Sequence, residues 1–88
     1  MASLREWTRH LLEGYAADLP LELVAQKRRL LDVGEQALVA QDLITFGLRR
    51  HDLSPADLDT ARDYAQGGAF GKAGPWLTEQ IDRESART

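Results

Sequence analysis

The stretch from Leu21 to Arg50 carries most of the large aliphatic side chains of the chain, and its apolar residues recur at helical spacing. In its first half these residues fall on one side of a helical wheel, opposite a polar side. The apolar side holds Leu23, Val24, Leu30 and Leu31, and the polar side holds Arg28, Arg29 and Asp32. Lys27 falls within the apolar side, where we expect its stem to lie along the surface while its ammonium reaches water.

The second half of the stretch is more apolar and predicts the most enclosed helix of the protein, at about residues 35–50. Its apolar residues, which we expect to be buried, cover a wide arc: Ala37, Ala40, Leu43, Ile44, Phe46 and Leu48. The remaining polar stripe is narrow and consists of Gln41, Asp42, Thr45 and Arg49.

The centre of the apolar arc shifts by about a third of a turn of the wheel near Gly34. An unbroken helix over 20–50 would measure about 45 Å, whereas a compact chain of this length has a diameter of about 30 Å. Two interpretations follow. Either Gly34 ends one helix and Glu35 begins another, or one long helix 20–50 projects from the chain and is covered by a second copy in a dimer.

Two flanking segments carry clear helix-start signals. Ser3 and Glu6 form a capping-box pattern, so a helix is predicted to begin at Leu4 and to end near Gly14. Ser54 and Pro55 combine a cap residue with proline at the first helical position. The first of these helices presents an apolar face made of Leu4, Trp7, Leu11, Leu12 and Tyr15.

The end of the chain predicts one more helix. The pair Gly67–Gly68 stops the preceding helix, Phe70 is expected to tuck into the core, and Gly74 opens a short final helix with Trp76, Leu77 and Ile81 on its inner face. Residues 84–88 are polar, and we expect them to be a frayed tail. No segment alternates as a strand would, so the predicted fold is an all-α compact bundle of four to five helices.

Composition limits the function without identifying it. With 88 residues the chain is expected to be a single helical domain, 1–88. It has no cysteine and a formal charge of −3, which excludes thiolate chemistry and gives no electrostatic argument for a nucleic-acid or membrane partner. No apolar run is long enough for a signal peptide or a membrane span, so we expect a soluble, cytoplasmic protein.

Residues that carry chemistry are scarce. His10 and His51 are the only histidines, and the usual catalytic and metal-binding motifs are missing. The GGAFGKAG segment lacks the spacing of a phosphate-binding loop, and the DLDTARD run lacks the glycine of a calcium loop. We therefore predict no catalytic residue, no cofactor and no metal site.

A protein-interaction role is the remaining explanation for the aromatic residues and the long apolar stretch. We predict a small non-enzymatic adaptor or regulatory module that binds a protein partner through a hydrophobic helix face and associates with itself as a homodimer. The candidate contact residues are Trp7, Leu11, Tyr15, Arg28, Gln41, Asp42, Arg49 and Trp76.

Two other functions stay open. A nucleic-acid-associated transcriptional regulator would use the basic clusters Lys27–Arg29 and Arg49–His51, although the chain lacks a helix-turn-helix pattern and its net charge is acidic. A small-ligand-binding protein or a small helical enzyme would need an apolar pocket into which polar groups converge.

Overall fold

The computed structural model describes residues 3–87, and these residues form five α-helices and no β-strand. The helices are α1 (Leu4–Tyr15), α2 (Leu21–Asp32), α3 (Gln36–Arg50), α4 (Pro55–Gln66) and α5 (Gly74–Ala86). Short 3₁₀ turns at Ala16–Asp18 and Gly71–Ala73 precede α2 and α5. The predicted all-α fold with four to five helices is confirmed, and the apolar helix expected near 35–50 is α3.

The chain divides into two compact units, one ending at Leu43 and the other beginning at Ile44. In the first unit α1 packs against α2, and in the second α4 packs against α5. The prediction of a single domain stays a prediction. The fully buried side chains of the first unit include Leu12, Leu31 and Val39, and those of the second include Leu77 and Ile81.

Gly34 ends α2, so the long helix 20–50 is wrong. Its φ of 88° lies in the left-handed region, which a residue without a Cβ adopts without strain. The amide of Gly34 donates to the carbonyl of Leu31, and the amide of Glu35 donates to the carbonyl of Leu30. These two bonds form the motif that commonly terminates a helix at glycine.

Side-chain caps start two helices as the sequence predicts. The Ser3 hydroxyl accepts the amide of Glu6 at 3.1 Å, and the Ser54 hydroxyl accepts the amide of Asp57 at 3.0 Å. Each bond satisfies an amide that has no partner within its helix. The predicted starts of α1 at Leu4 and of α4 at Pro55 are confirmed.

Burial along α3 follows the prediction at Ala40, Leu43 and Ile44, whereas Ala37, Phe46 and Leu48 are only half-buried. Leu43 and Ile44 are buried, whereas Phe46 is half-buried and has the Arg50 guanidinium 5.3 Å from its ring centroid. Phe46 lies at the margin of the apolar arc, where a cation can cover the face of the ring.

The inner face of α5 differs from the prediction at Trp76. Leu77 and Ile81 are buried, together with Gly74 and Glu84, at the three- and four-residue spacing of one helical face. Trp76 lies about 100° away from Leu77 around the helix and is 52% exposed.

The polar C-terminal segment is helical as far as Ala86, and the predicted fraying of residues 84–88 stays a prediction. Glu84 continues the buried face of α5 and is held there by His51 and Arg87. Thr88, the last residue of the predicted tail, lies outside the described residues.

Candidate functional site

The second unit carries an exposed aromatic surface, which we call the Trp76 surface. A shallow depression of about 250 Å³ is lined by Thr45, Leu48, Arg49, Trp76 and Gln80. The first three of these residues come from the last two turns of α3, and the other two come from α5. Arg49 and Trp76 were both predicted as contact residues from the sequence, and the fold brings them together.

The chemistry of the Trp76 surface combines an apolar area with one cation. Leu48 is half-buried and contributes aliphatic surface beside the exposed indole of Trp76. Arg49 is exposed and has no hydrogen-bond or ion-pair partner among residues 3–87. The neighbouring Arg50, by contrast, binds Asp52 at 2.9 Å. Only Arg49 therefore presents an uncommitted guanidinium at this surface.

A second group of side chains, the His51 cluster, joins His51, Glu84 and Arg87. The Nδ1 atom of His51 lies 3.0 Å from Oε2 and 3.1 Å from Oε1 of Glu84. Arg87 contacts both partners, with its Nε 3.3 Å from Oε1 of Glu84 and its Nη1 3.2 Å from Nε2 of His51. The Glu84 side chain is only 10% exposed, so this carboxylate is buried between two nitrogen donors.

The partners of the two ring nitrogens indicate one tautomer of His51. An arginine N–H can only donate, so Nε2 of His51 accepts from Arg87. In that tautomer Nδ1 carries the hydrogen and donates a hydrogen bond to the Glu84 carboxylate. Nδ1 thus faces the buried carboxylate of Glu84, and Nε2 faces the exposed side chain of Arg87.

The backbone places the His51 side chain toward Glu84. His51 follows α3 with a φ of 58°, the only non-glycine residue with positive φ in the described part of the chain. Its amide donates to Leu48, and the next amide, of Asp52, donates to Gly47, so His51 occupies the helix-ending position where glycine is usual. A side chain in this region costs about 1–2 kcal/mol, although histidine tolerates it better than most residues.

The His51 cluster forms one wall of a cavity with a volume of about 340 Å³. The other walls consist of Leu53, Pro55, Leu58, Asp59 and Ser85. Leu53 and Leu58 are buried and give the cavity an apolar floor. The cavity is of the size in which proteins hold small molecules, about 300–1,000 Å³.

In the first unit, three of the predicted contact residues belong to the core. Trp7, Leu11 and Tyr15 are buried on the inner face of α1. They are at most 8% exposed, so they leave little surface for a partner, and their contact with one stays a prediction. The apolar pattern that suggested them marks the side of α1 that is buried within the chain.

Two of the polar residues predicted to contact a partner form ion pairs inside the first unit. Asp42 accepts a hydrogen bond from Nζ of Lys27 at 2.7 Å, and Arg28 pairs with Glu13 at 3.1 Å. Lys27 is buried, and its ammonium contacts Asp42. The sequence predicted that this ammonium would reach water. Gln41 is half-buried on α3.

The basic clusters suggested for nucleic acid are largely paired with carboxylates. Lys27 and Arg28 bind acids of the first unit, while Arg50 and His51 bind acids of the second. Arg29 and Arg49 lack such partners within residues 3–87.

Sequence reasoning missed Glu84 and Arg87 because they lie in the segment that was expected to fray. A signal was present, since Glu84 follows Leu77 and Ile81 at helical spacing. Among residues 3–87 no cluster of His, Asp and Glu is arranged to hold a metal ion, and no helix is both long and apolar enough to cross a membrane.

Protein-family models, curated proteins and solved structures were each compared with the chain, and none of them matches it, so its function has to be inferred from the residues described above.

Proposed function

We propose that the chain is a non-enzymatic protein-interaction module that binds its partner through the Trp76 surface. The observation that carries this proposal is the half-exposed Trp76 beside Arg49, which has no partner among residues 3–87. Tryptophan and arginine are the residue types that contribute most often to the centre of protein interfaces. When a partner covers an indole that is exposed to this extent, its apolar surface is removed from water, and this stabilises the complex.

The chemistry of the surface supports one kind of partner. Trp76 and Leu48 fit an apolar side chain, and Arg49 fits a carboxylate, with which it can form two parallel hydrogen bonds. Thr45 and Gln80 add polar groups at the rim. The partner is therefore a protein segment in which an apolar residue stands next to an acidic one.

The homodimer suggested by the sequence has lost its main support, because α2 and α3 are separate helices. Self-association remains part of the proposal as the case in which a second copy supplies the apolar and acidic side chains. Sedimentation equilibrium at high micromolar concentration tests that case, and a strict monomer would exclude it.

The proposal as a whole is tested by recovering the tagged protein from its native cells and measuring binding to whatever travels with it. We expect Trp76→Ala to weaken the complex by at least about tenfold, the effect of losing an interface anchor of 1.4 kcal/mol or more. Arg49→Ala should also weaken it. Leu21→Ala is the matched control, because Leu21 is an exposed apolar residue of the other unit.

Equal affinity for the wild type and the Trp76→Ala variant would refute the proposed surface. Nucleic acid is the less favoured alternative, because most of its candidate cations already bind carboxylates. Failure to bind DNA at low salt would eliminate it.

A further inference from the structure

Large apolar side chains stay exposed at three places among residues 3–87. Trp76 is one of them and belongs to the Trp76 surface. Leu21 is 86% exposed at the start of α2. Val33 and Leu38, which are 73% and 48% exposed, stand on either side of the turn between α2 and α3. The first unit therefore presents two apolar places that a Trp76 surface on another copy of the chain can cover.

The turn between α2 and α3 also carries a carboxylate. We call Val33, Glu35 and Leu38 the α2–α3 corner. Glu35 is exposed, and its carboxylate has no hydrogen-bond or ion-pair partner among residues 3–87. Glu35 follows Val33 by two residues, a length of chain that spans at most about 7 Å, and it precedes Leu38 by about one helical turn. The α2–α3 corner thus holds a carboxylate between two exposed apolar side chains.

The α2–α3 corner has the composition that fits the Trp76 surface. That surface offers an exposed indole, and Arg49 is the charged residue among those that line it. Glu79 follows Trp76 on α5 but is already paired with Arg83 at 2.6 Å. Arg49 and Glu35 both lack a partner within residues 3–87. Their pairing therefore breaks no ion pair in either copy, and an arginine can hold a carboxylate by two parallel hydrogen bonds.

Asp32 and Arg29 are the charged residues that precede the α2–α3 corner on the last turn of α2. Asp32 lies 3.9 Å from Arg5, so a cation is already beside its carboxylate. Arg29 is exposed and has no partner within the described residues. Because Arg29 would repel Arg49 of another copy, Arg29→Ala should leave this contact as strong as in the wild type or stronger.

Leu21 and Glu22 offer a similar but smaller combination. Glu22 is exposed and unpaired within residues 3–87, and Leu21 precedes it. Only one exposed apolar side chain accompanies this carboxylate, whereas Val33 and Leu38 both accompany that of Glu35. The α2–α3 corner is favoured because it removes more apolar side chains from water for the same ion pair.

We propose that the α2–α3 corner of a second copy of the chain is the partner of the Trp76 surface. Val33 and Leu38 cover the indole of Trp76, and Glu35 pairs with Arg49. The contact joins two different faces, so the copies associate head to tail, closing into a dimer or ring if the rotation allows and otherwise forming a chain. This inference rests on the proposed role of the Trp76 surface.

Charge reversal tests the ion pair in the full chain by sedimentation equilibrium. The wild type should associate at high micromolar concentration. Glu35→Arg and Arg49→Glu should each weaken this association by about tenfold or more, because each brings like charges together. An equal mixture of the two variants should restore it, as should both substitutions in one chain, since opposite charges then meet again.

Matched controls separate the contact from net charge and from general hydrophobicity. Glu22→Arg and Arg9→Glu make the same charge changes at exposed residues that have no partner within residues 3–87, and they should associate as the wild type does. Glu22 lies in the first turn of α2, so it matches the position of Glu35 just before α3. Val33→Ser should weaken association by about fivefold or more, whereas Leu21→Ser should not.

Several results would overturn the inference. A strict monomer would exclude the second copy but not the Trp76 surface, which Trp76→Ala still tests with the partner recovered from cells. A loss with Arg49→Glu and none with Glu35→Arg would place another occupant on the Trp76 surface. A loss confined to Glu22→Arg would assign the contact to the start of α2, and equal losses with Glu22→Arg and Glu35→Arg would reduce the effect to net charge.

Discussion

The buried Lys27 makes an unequal ion pair with Asp42, and this inequality predicts which partner is more costly to lose. The Lys27 side chain is 10% exposed and that of Asp42 is 50% exposed, with 2.7 Å between Nζ and Oδ2. If Asp42 is replaced, a buried ammonium is left without its partner. If Lys27 is replaced, the Asp42 carboxylate loses its partner but remains half-exposed, so water can solvate it.

The magnitudes follow from this difference. Asp42→Ala should lower the free energy of unfolding by about 1–3 kcal/mol, the usual cost of leaving a buried polar group unpaired. The lower part of this range is expected because the lysine stem can swing its ammonium toward water. Lys27→Met keeps the length and packing of the stem, and the Asp42 carboxylate that it leaves behind is half-exposed to water, so we expect a change of less than about 1 kcal/mol.

The assay is urea unfolding followed by tryptophan fluorescence in a Trp76→Phe background. Trp7 then remains as the only tryptophan, and it is buried in the same unit as the ion pair. The double variant with Lys27→Met and Asp42→Ala provides the decisive comparison. It should be more stable than Asp42→Ala alone, because the stranded ammonium has been removed.

The reasoning is refuted if Lys27→Met destabilises the unit more than Asp42→Ala does, or if the double variant is the least stable of the three. Either result would mean that the lysine stabilises this unit through its charge and not through its stem.

Two backbone features and one cap give further predictions, each measured by urea unfolding. Gly74→Ala should destabilise by about 1–3 kcal/mol, because the new Cβ would lie 2.8 Å from the carbonyl oxygen of Ala65, which is backbone and cannot turn aside. Gly14→Ala is its matched control and should stabilise α1 by about 0.4–1 kcal/mol, since nothing lies within 4 Å of the new Cβ. Equal changes in the free energy of unfolding at both glycines would contradict the predicted clash at Gly74. Ser54→Ala should cost about 0.5–2 kcal/mol through the lost cap on Asp57, and an unchanged midpoint would show that this cap is replaced by water.

The helices could be predicted because their signals are local. Caps at Ser3 and Ser54 and the glycines at 34 and 67–68 act on their own backbone within a few residues, and the apolar period identifies the buried face. For Gly34 the sequence left two interpretations, since glycine is tolerated inside a helix at a cost of about 1 kcal/mol. The left-handed φ excludes the continuous helix.

The candidate sites were harder to predict because their contacts are distant in sequence. His51 and Glu84 are separated by 33 residues, and Lys27 and Asp42 by 15. Neither pair produces a periodic pattern, and each places a charged residue on a face that is otherwise apolar. Trp7 and Trp76 show the same limit, since hydrophobicity alone gave no way to tell the buried indole from the exposed one.

Ion pairing alone does not single out Arg49, and this decides how its role can be tested. Arg9 and Arg29 are also exposed and lack partners among residues 3–87. What distinguishes Arg49 is its place beside an exposed indole, where a partner can remove water from the guanidinium and strengthen its hydrogen bonds. A partner that responds only to positive charge should lose equal affinity with Arg29→Ala and Arg49→Ala. A partner that docks on the Trp76 surface should respond to Arg49→Ala alone, and that loss should shrink once Trp76 has been replaced.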